Sequence, residues 1–257
     1  MDGQVQTAEM RSMKVDVVVL TRNSEETLEK CLSSVYKNVP VNRLIVVDGY
    51  STDKTIEIVN RFSGKHRNVV ILREKGTRGK ARQRAIDAVK TKWFVFVDSD
   101  VTLCSGWFEQ ARSLIRDGVG AIWGIEVWSV LRNVTVQKLF ERITMKIFGK
   151  RGGTHDLLVR HEAVKNIQIP PLLHVYEDAY IKSWILQKGY KVISTYQPYC
   201  IHYRPAIVWT LKRSISFVAN ELKYAIRYPQ LLLSYAFYAA IVLHQSLHRN
   251  SRSIARR

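Results

Sequence analysis

Trp93-Phe94-Val95-Phe96-Val97-Asp98-Ser99-Asp100 is a run of five large apolar residues that breaks off into two carboxylates separated by one residue. Apolar at consecutive rather than alternate positions, the run reads as a buried strand of a sheet covered by helices. Three earlier runs have the same character: Val15 to Leu20, Leu44 to Val47 and Val69 to Leu72. Between them, apolar residues recur at helical spacing: Leu28, Cys31, Leu32 and Val35, then Ile56, Val59 and Phe62. Ser24 and the acids Glu25 and Glu26 suit the start of the first helix. A third helix is predicted over Lys80 to Val89, with Ala81, Ala85, Ala88 and Val89 on a face small enough to lie close on the sheet. A fourth begins near Gly106. The alternation predicts an α/β, Rossmann-like fold, a mostly parallel sheet with helices on both faces.

The whole chain sets looser bounds. Its 257 residues, 46% hydrophobic, suffice for one large α/β domain with an appendage. A formal net charge of +18 implies attraction to an anionic partner: a nucleic acid, a phospholipid surface or a phosphorylated substrate. Cys31, Cys104 and Cys200 lack metal or redox spacing and read as free thiols of a reducing compartment. Residues 1–13 form a polar lead-in without the apolar stretch of a signal peptide, so the expected location is cytoplasmic.

Ligands of open α/β sheets bind beyond the carboxyl ends of the strands. Taken in order, those ends are Thr21-Arg22-Asn23, Asp48-Gly49-Tyr50-Ser51-Thr52-Asp53, Gly76-Thr77-Arg78-Gly79-Lys80-Ala81-Arg82 and Asp98-Ser99-Asp100. The series, from about Val15 to Val101 and resuming at Glu177-Asp178, resembles the family 2 glycosyltransferases of the GT-A fold. Each piece alone is weak; the set in this order is specific. The resemblance implies an inverting enzyme that uses a UDP- or GDP-sugar.

The chemistry of the pieces agrees with this. Asp98 and Asp100 offer hard oxygen ligands without closing a cage, which suits Mg²⁺ or Mn²⁺ bridging a pyrophosphate; the bland alternative is a solvated Asp-Ser-Asp turn. By resemblance Asp48 contacts the nucleobase, with Thr21, Asn23 and Ser99 also on the donor side, while Asp53 is the better turn aspartate. The Gly76 to Arg82 loop lacks a Walker signature but has cations for a phosphate. Arg82 is the preferred donor ligand there; Arg78 has a solvated alternative. The family's general base maps to Asp178, at the start of a helix running from Ala179 to Lys188, with Glu177 beside it as a donor-side residue or an ordinary helix-start acid. His202 is expected either to reach the metal or to pack, and Arg204 to assist the phosphate. Gly152-Gly153-Thr154-His155 precedes a predicted acceptor-side strand, Leu157 to Arg160.

Two further stretches bear on the acceptor. Val136, Leu139, Phe140, Ile143 and Ile147 form a stripe opposite Lys138, Arg142 and Lys146, as in a helix lying on an anionic membrane or facing a core. Pro229 to Leu247 carries no formal charge and is followed by Arg249, Arg252, Arg256 and Arg257. It barely reaches the roughly 20 residues of a membrane span, so an interfacial helix with a basic tail is expected, each cation adding about 1 kcal/mol near anionic lipid. Helix pairing within the chain or in a homo-oligomer is the alternative. The expected layout is a catalytic domain over 14–204, with a donor half to 104 and an acceptor half from 105, and a membrane-seeking appendage over 205–257 at the cytoplasmic face of the cell membrane. A base at Asp178 favours a sugar-hydroxyl acceptor, lipid-linked or polysaccharide, over a polyprenyl phosphate, which is already ionised. Nucleotidyl transfer and nucleic-acid binding are the more remote classes; no zinc knuckle or RNP-like stretch supports nucleic-acid recognition.

Overall fold

The computed structural model describes residues 12–129, 134–148 and 153–203. The four apolar runs form β1 (Val15–Thr21), β2 (Val41–Asp48), β3 (Val69–Arg73) and β4 (Trp93–Asp98). They lie parallel in the order β3-β2-β1-β4, with α1 (Leu28–Asn38), α2 (Thr55–Lys65) and α3 (Arg78–Ala88) as crossovers. Successive side chains enter two different cores, which is why the runs are apolar throughout. Val17, Val19, Val95 and Val97 join Leu28, Leu32 and Val35 of α1 and Val59 and Phe62 of α2. Val18, Phe94 and Phe96 join Ala85 and Ile86 of α3 on the opposite face.

The parallel pattern stops at β4. β5 (Val101–Leu103), β6 (Val119–Trp128), β7 (Asp156–Arg160) and β8 (Lys191–His202) extend the sheet to β3-β2-β1-β4-β7-β6-β8-β5. β7, the predicted acceptor-side strand, is antiparallel to both β4 and β6, and β5 is antiparallel to β8. The sheet is therefore parallel in its first half and mixed in its second. α4 (Trp107–Arg112) starts at Gly106, whose φ of +66° lies in the left-handed region. α6 (Glu177–Gln187) opens on the predicted acidic pair, and its Ile181 and Ile185 close the second core with Ala163 and Val164.

Two local expectations shift. α1 begins at Leu28 rather than near Ser24, because the Ser24 carbonyl accepts from the N–H groups of Thr27 and Leu28 in a turn. In α2 the buried positions are Thr55, Ile58, Val59 and Phe62, so Ile58 and not Ile56 carries the apolar face. The stripe on α5 (Val134–Phe148) lies at the surface: Val136, Leu139, Ile143 and Ile147 are large exposed hydrophobics. No helix among the described residues is long and apolar enough to cross a membrane. Arg204, the appendage over 205–257, Gly152 and most of the lead-in lie outside the described residues.

β8 crowds β6 at Gly124, where a Cβ would collide with the Pro198 carbonyl oxygen and stand 2.6 Å from Asp156 Oδ2. Backbone cannot yield there as a flexible side chain would. Gly124→Ala is expected to destabilise the domain by roughly 1–3 kcal/mol in urea unfolding; unchanged stability would show that the two strands can part freely.

Candidate active site

The polar strand ends gather along the carboxyl edge of β1, β2 and β4. Asp48 ends β2 fully buried, with both carboxylate oxygens engaged. Oδ1 accepts from Thr21 Oγ1 at 3.0 Å and Ser51 Oγ at 2.5 Å; Oδ2 accepts from the Ser51 N–H at 3.0 Å and from Arg73 at 2.5 Å. Arg73 in turn lies 5.7 Å over the ring of Tyr50, an exposed residue with φ +58°. Arg73 and Tyr50 thus form the outer surface of this corner, and Asp48 supports it from beneath. Asn23, at φ +51°, links the two loops: its Oδ1 accepts from the Thr52 N–H at 2.9 Å, and its own N–H donates to Ser51 Oγ at 2.9 Å. Asp53 takes the turn role expected of it, accepting from the N–H groups of Thr55 and Glu25.

At the end of β4, Asp98 Oδ1 accepts from Arg82 at 2.6 Å and Asp100 Oδ2 lies 3.0 Å from His202 Nε2. Burial works against the charge on Asp98, but Arg82, His202 and Arg78 outweigh it and hold the carboxyl below the usual carboxylate range. Asp98 Oδ2 and Asp100 Oδ1 receive no hydrogen bond from the described residues, and these side chains are 30% and 34% exposed. Two ionisable oxygens with an imidazole alongside, open on one side, fit a hard divalent cation that keeps positions for phosphate oxygens. Ser99 turns toward α1 instead, its Oγ 2.9 Å from Ser24 Oγ and its carbonyl accepting from Thr27 Oγ1.

His202 reaches Asp100 because Val101 pairs with His202 across β5 and β8, and the Tyr203 N–H donates to the Asp100 carbonyl at 2.8 Å. Its Nδ1 lies 3.0 Å from Glu126 Oε1, which also accepts from Trp128 Nε1 at 2.6 Å. Sequence reasoning passed over Glu126. The available signal was a lone carboxylate inside the apolar run Val119–Trp128.

Arg82 differs most from expectation. It is 2% exposed, donates from Nη2 to Asp98 Oδ1 and Thr154 Oγ1, both at 2.6 Å, and lies 4.7 Å over the Phe96 ring. Its Nε is 4.0 Å from Glu177 Oε1. The cation preferred as a donor ligand is therefore beneath the site, while Arg78 is exposed on the first turn of α3. The reason is how closely α3 packs: a Cβ on Gly79 would lie 2.9 Å from the Pro170 carbonyl oxygen and 3.0 Å from that of Leu173. The Gly79 N–H donates to Leu173 O at 2.9 Å, Thr77 Oγ1 to Pro171 O at 2.5 Å, and the Ile169 N–H to Gln83 Oε1 at 2.9 Å. These bonds fasten the loop that leads into α6 and set its acidic start beside Arg82.

Glu177 and Asp178 are both buried. The helix-end bond falls to Asp178, whose Oδ1 accepts from the Ala179 N–H at 2.6 Å, rather than to Glu177. Burial and the neighbouring Asp178 push the Glu177 carboxyl up to about 7, against the pull of Arg78 and Arg82. Behind this layer, His155 Nδ1 is 2.6 Å from Asp156 Oδ1 and 3.5 Å from Cys200 Sγ, and Trp107 Nε1 donates to Asp156 Oδ2 at 2.9 Å. This buried trio, not Asp98, Asp100 and His202, is the one set of His, Cys, Asp or Glu among the described residues whose ligand atoms lie within 4.8 Å of one another. Burial raises the Cys200 thiol well above its usual range, so the sulfur stays protonated, as a packed free cysteine does.

A parallel half-sheet with carboxylates at the end of β4, basic groups on α3 and an acidic pair opposite defines a GT-A glycosyltransferase. Residues 16–156 match the model of glycosyl transferase family 2, and the chain belongs to that family. Among curated relatives it is 36% identical over 94 residues to a poly(ribitol-phosphate) beta-glucosyltransferase of Bacillus spizizenii, an alignment covering 34% of this chain and only 15% of that protein. In fold it is similar to the mannosyltransferase PcManGT of Pyrobaculum calidifontis in complex with GDP-Man and Mn²⁺, with a TM-score of 0.66 and 20% identity over 83% of this chain and 64% of the other. It is also similar to the glucosyl-3-phosphoglycerate synthase of Mycobacterium tuberculosis in complex with Mn²⁺ and UDP-glucose, with a TM-score of 0.60 and 19% identity over 87% and 83% of the two chains.

Glu177 gives the site a stability signature. An unfolded-chain glutamate ionises near 4.5, whereas in the folded protein burial and Asp178 push Glu177 up to about 7, so between those values the folded state binds more protons and stability falls as pH rises. In Glu177→Gln that loss is expected to vanish: the variant gains on the parent from pH 5 to pH 8 in thermal melts. Parallel melting curves across that range would show that Glu177 ionises normally.

Proposed function

We propose that this glycosyltransferase is inverting and metal-dependent, and moves a sugar from a UDP- or GDP-sugar to the hydroxyl of a lipid-linked or polysaccharide acceptor at a membrane. The observation that carries the reading is the pair of oxygens, Asp98 Oδ2 and Asp100 Oδ1, that receive no hydrogen bond among the described residues, beside a buried Arg82 that also lies near Glu177. Asp98, Asp100 and His202 hold Mg²⁺ or Mn²⁺, which supplies a Lewis acid for the charge that develops on the departing diphosphate. Thr21, Asn23 and Asp48 shape the nucleoside end, with Ser99 between the two ends. Arg78 serves the pyrophosphate, Arg204 is assigned by resemblance to assist it, and Arg82 acts from beneath by fixing Asp98 and Glu177. Asp178 takes the proton from the acceptor hydroxyl as it attacks the anomeric carbon from the side opposite the diphosphate. Nucleotide-sugar and Mn²⁺ complexes of the two solved neighbours support the donor class. Residues 14–104 form the donor half and 105–204 the acceptor half.

Asp98→Ala and Asp100→Ala are each expected to lower Mn²⁺-dependent donor turnover at least about a hundredfold. Asp178→Asn should keep donor affinity within about twofold and lose transfer by a similar hundredfold, measured by calorimetry and product formation. Equal loss of binding and transfer would assign Asp178 a structural role.

The acceptor location rests on α5, where Leu139 and Ile147 are 56% and 65% exposed and Arg142 and Lys146 are exposed beside them. An apolar stripe flanked by cations suits the interface of an anionic bilayer, with the basic 205–257 segment adding to it at the cytoplasmic face. The same stripe favours a second reading, direct transfer to a polyprenyl phosphate. There Asp178→Asn would change the rate little, because the acceptor is already ionised. With the full chain, Ile143→Asp is expected to weaken sedimentation with phosphatidylglycerol vesicles several-fold; unchanged sedimentation sinks the membrane assignment of this helix.

A further inference from the structure

We propose that Glu126 is a positioning residue of the metal site: it holds the imidazole of His202 so that Nε2 is the nitrogen presented beside Asp100. The inference rests on the reading that Asp98, Asp100 and His202 bind the divalent cation. It adds a residue on a strand that carries no other group of that site.

The contacts form a line. Trp128 Nε1 donates to Glu126 Oε1 at 2.6 Å, the same oxygen lies 3.0 Å from His202 Nδ1, and His202 Nε2 lies 3.0 Å from Asp100 Oδ2. Strand pairing sets the spacing. β6 and β8 run parallel with Trp128 opposite His202 and Glu126 opposite Cys200, so Glu126 and Trp128, two residues apart, share one face of β6. The backbone is clamped on both sides of the ring: the Ser129 N–H donates to His202 O at 3.0 Å and the Tyr203 N–H to Asp100 O at 2.8 Å. The Glu126 and His202 side chains are only 14% and 10% exposed.

A carboxylate on a strand otherwise lined with Ala, Ile, Val and Trp is costly to bury without partners. Among its contacts are an indole N–H that donates to it and one edge of an imidazole at ion-pair distance. A histidine that ligates through one nitrogen needs the proton kept on the other, and a carboxylate at that second nitrogen fixes both the tautomer and the plane of the ring while making the ligand nitrogen more basic. Glu126 Oε1 stands 3.0 Å from Nδ1, near enough to take that role once the ring turns to align its N–H. The competing account is that His202 is an imidazolium lying between two carboxylates and binding no metal.

The test is Mn²⁺ alone titrated into the full chain, with free Mn²⁺ followed by electron paramagnetic resonance. Glu126→Gln keeps an oxygen for Trp128 Nε1 and removes the charge. It is expected to weaken Mn²⁺ binding about tenfold or more, in line with other outer partners of metal-bound histidines. His202→Ala should weaken it at least as much. In the double variant Glu126→Gln should add nothing, because its effect passes through His202. Loss in His202→Ala with parental affinity in Glu126→Gln overturns the role of Glu126 alone, as do additive losses in the double variant. Parental affinity in His202→Ala overturns the metal reading of His202, and this inference with it. If Glu126→Gln does not fold, Trp128→Phe releases the same carboxylate from its indole anchor; a smaller loss in the same direction supports the proposal, and unchanged Mn²⁺ affinity refutes it.

Discussion

The site is organised around one buried guanidinium. Arg82 is removed from water at a cost on the order of several kcal/mol, offset by the Asp98 carboxylate, the Thr154 hydroxyl, the face of Phe96 and the nearby Glu177. Those four neighbours come from β4, the start of α6 and the segment just before β7, so a single side chain joins elements far apart in the chain. With Arg82 in place, Asp98 keeps its charge and its second oxygen stays open to the edge of the sheet.

What lets Arg82 reach that position is the close packing of α3. Gly79 has no room for a side chain against the carbonyls of Pro170 and Leu173, and Thr77 and Gln83 bind the same loop from either side. The basic first turn of α3 and the acidic first turn of α6 are therefore parts of one packed unit. A shift of either helix would be felt at both Asp98 and Glu177, which links the packing of the second core to the chemistry at the strand ends.

Charge acts differently at long and short range. The chain carries a formal net charge of +18, which raises the local concentration of anionic ligands. Yet the residues that converge at the site are largely acidic: Asp98, Asp100, Glu126, Glu177 and Asp178. Arg82, Arg78 and His202 favour the charged form of Asp98, whereas burial, with Asp178 beside it, raises the carboxyl of Glu177 despite Arg78 and Arg82. A net positive chain around a locally acidic cluster separates long-range attraction of anions from the local chemistry at the strand ends.

The four apolar runs, the three crossover helices and the order of polar strand ends were legible in sequence, because a parallel sheet buried on both faces demands unbroken apolar runs and leaves polarity only at their tips. The residue types at those tips, taken in order and with the later acidic pair, carried the resemblance to the family. Tertiary structure alone decided which side of each tip faces outward. Arg78 and Arg82 share a helix face one turn apart, and nothing local says that the second is buried while the first is not. Nor does anything near Glu126 announce His202, which lies 76 positions away and is brought close only by the register of β6 on β8. Periodicity records which residues leave water; the partners they meet there depend on strand order and on how closely a helix approaches the sheet, and those are set by contacts between distant segments.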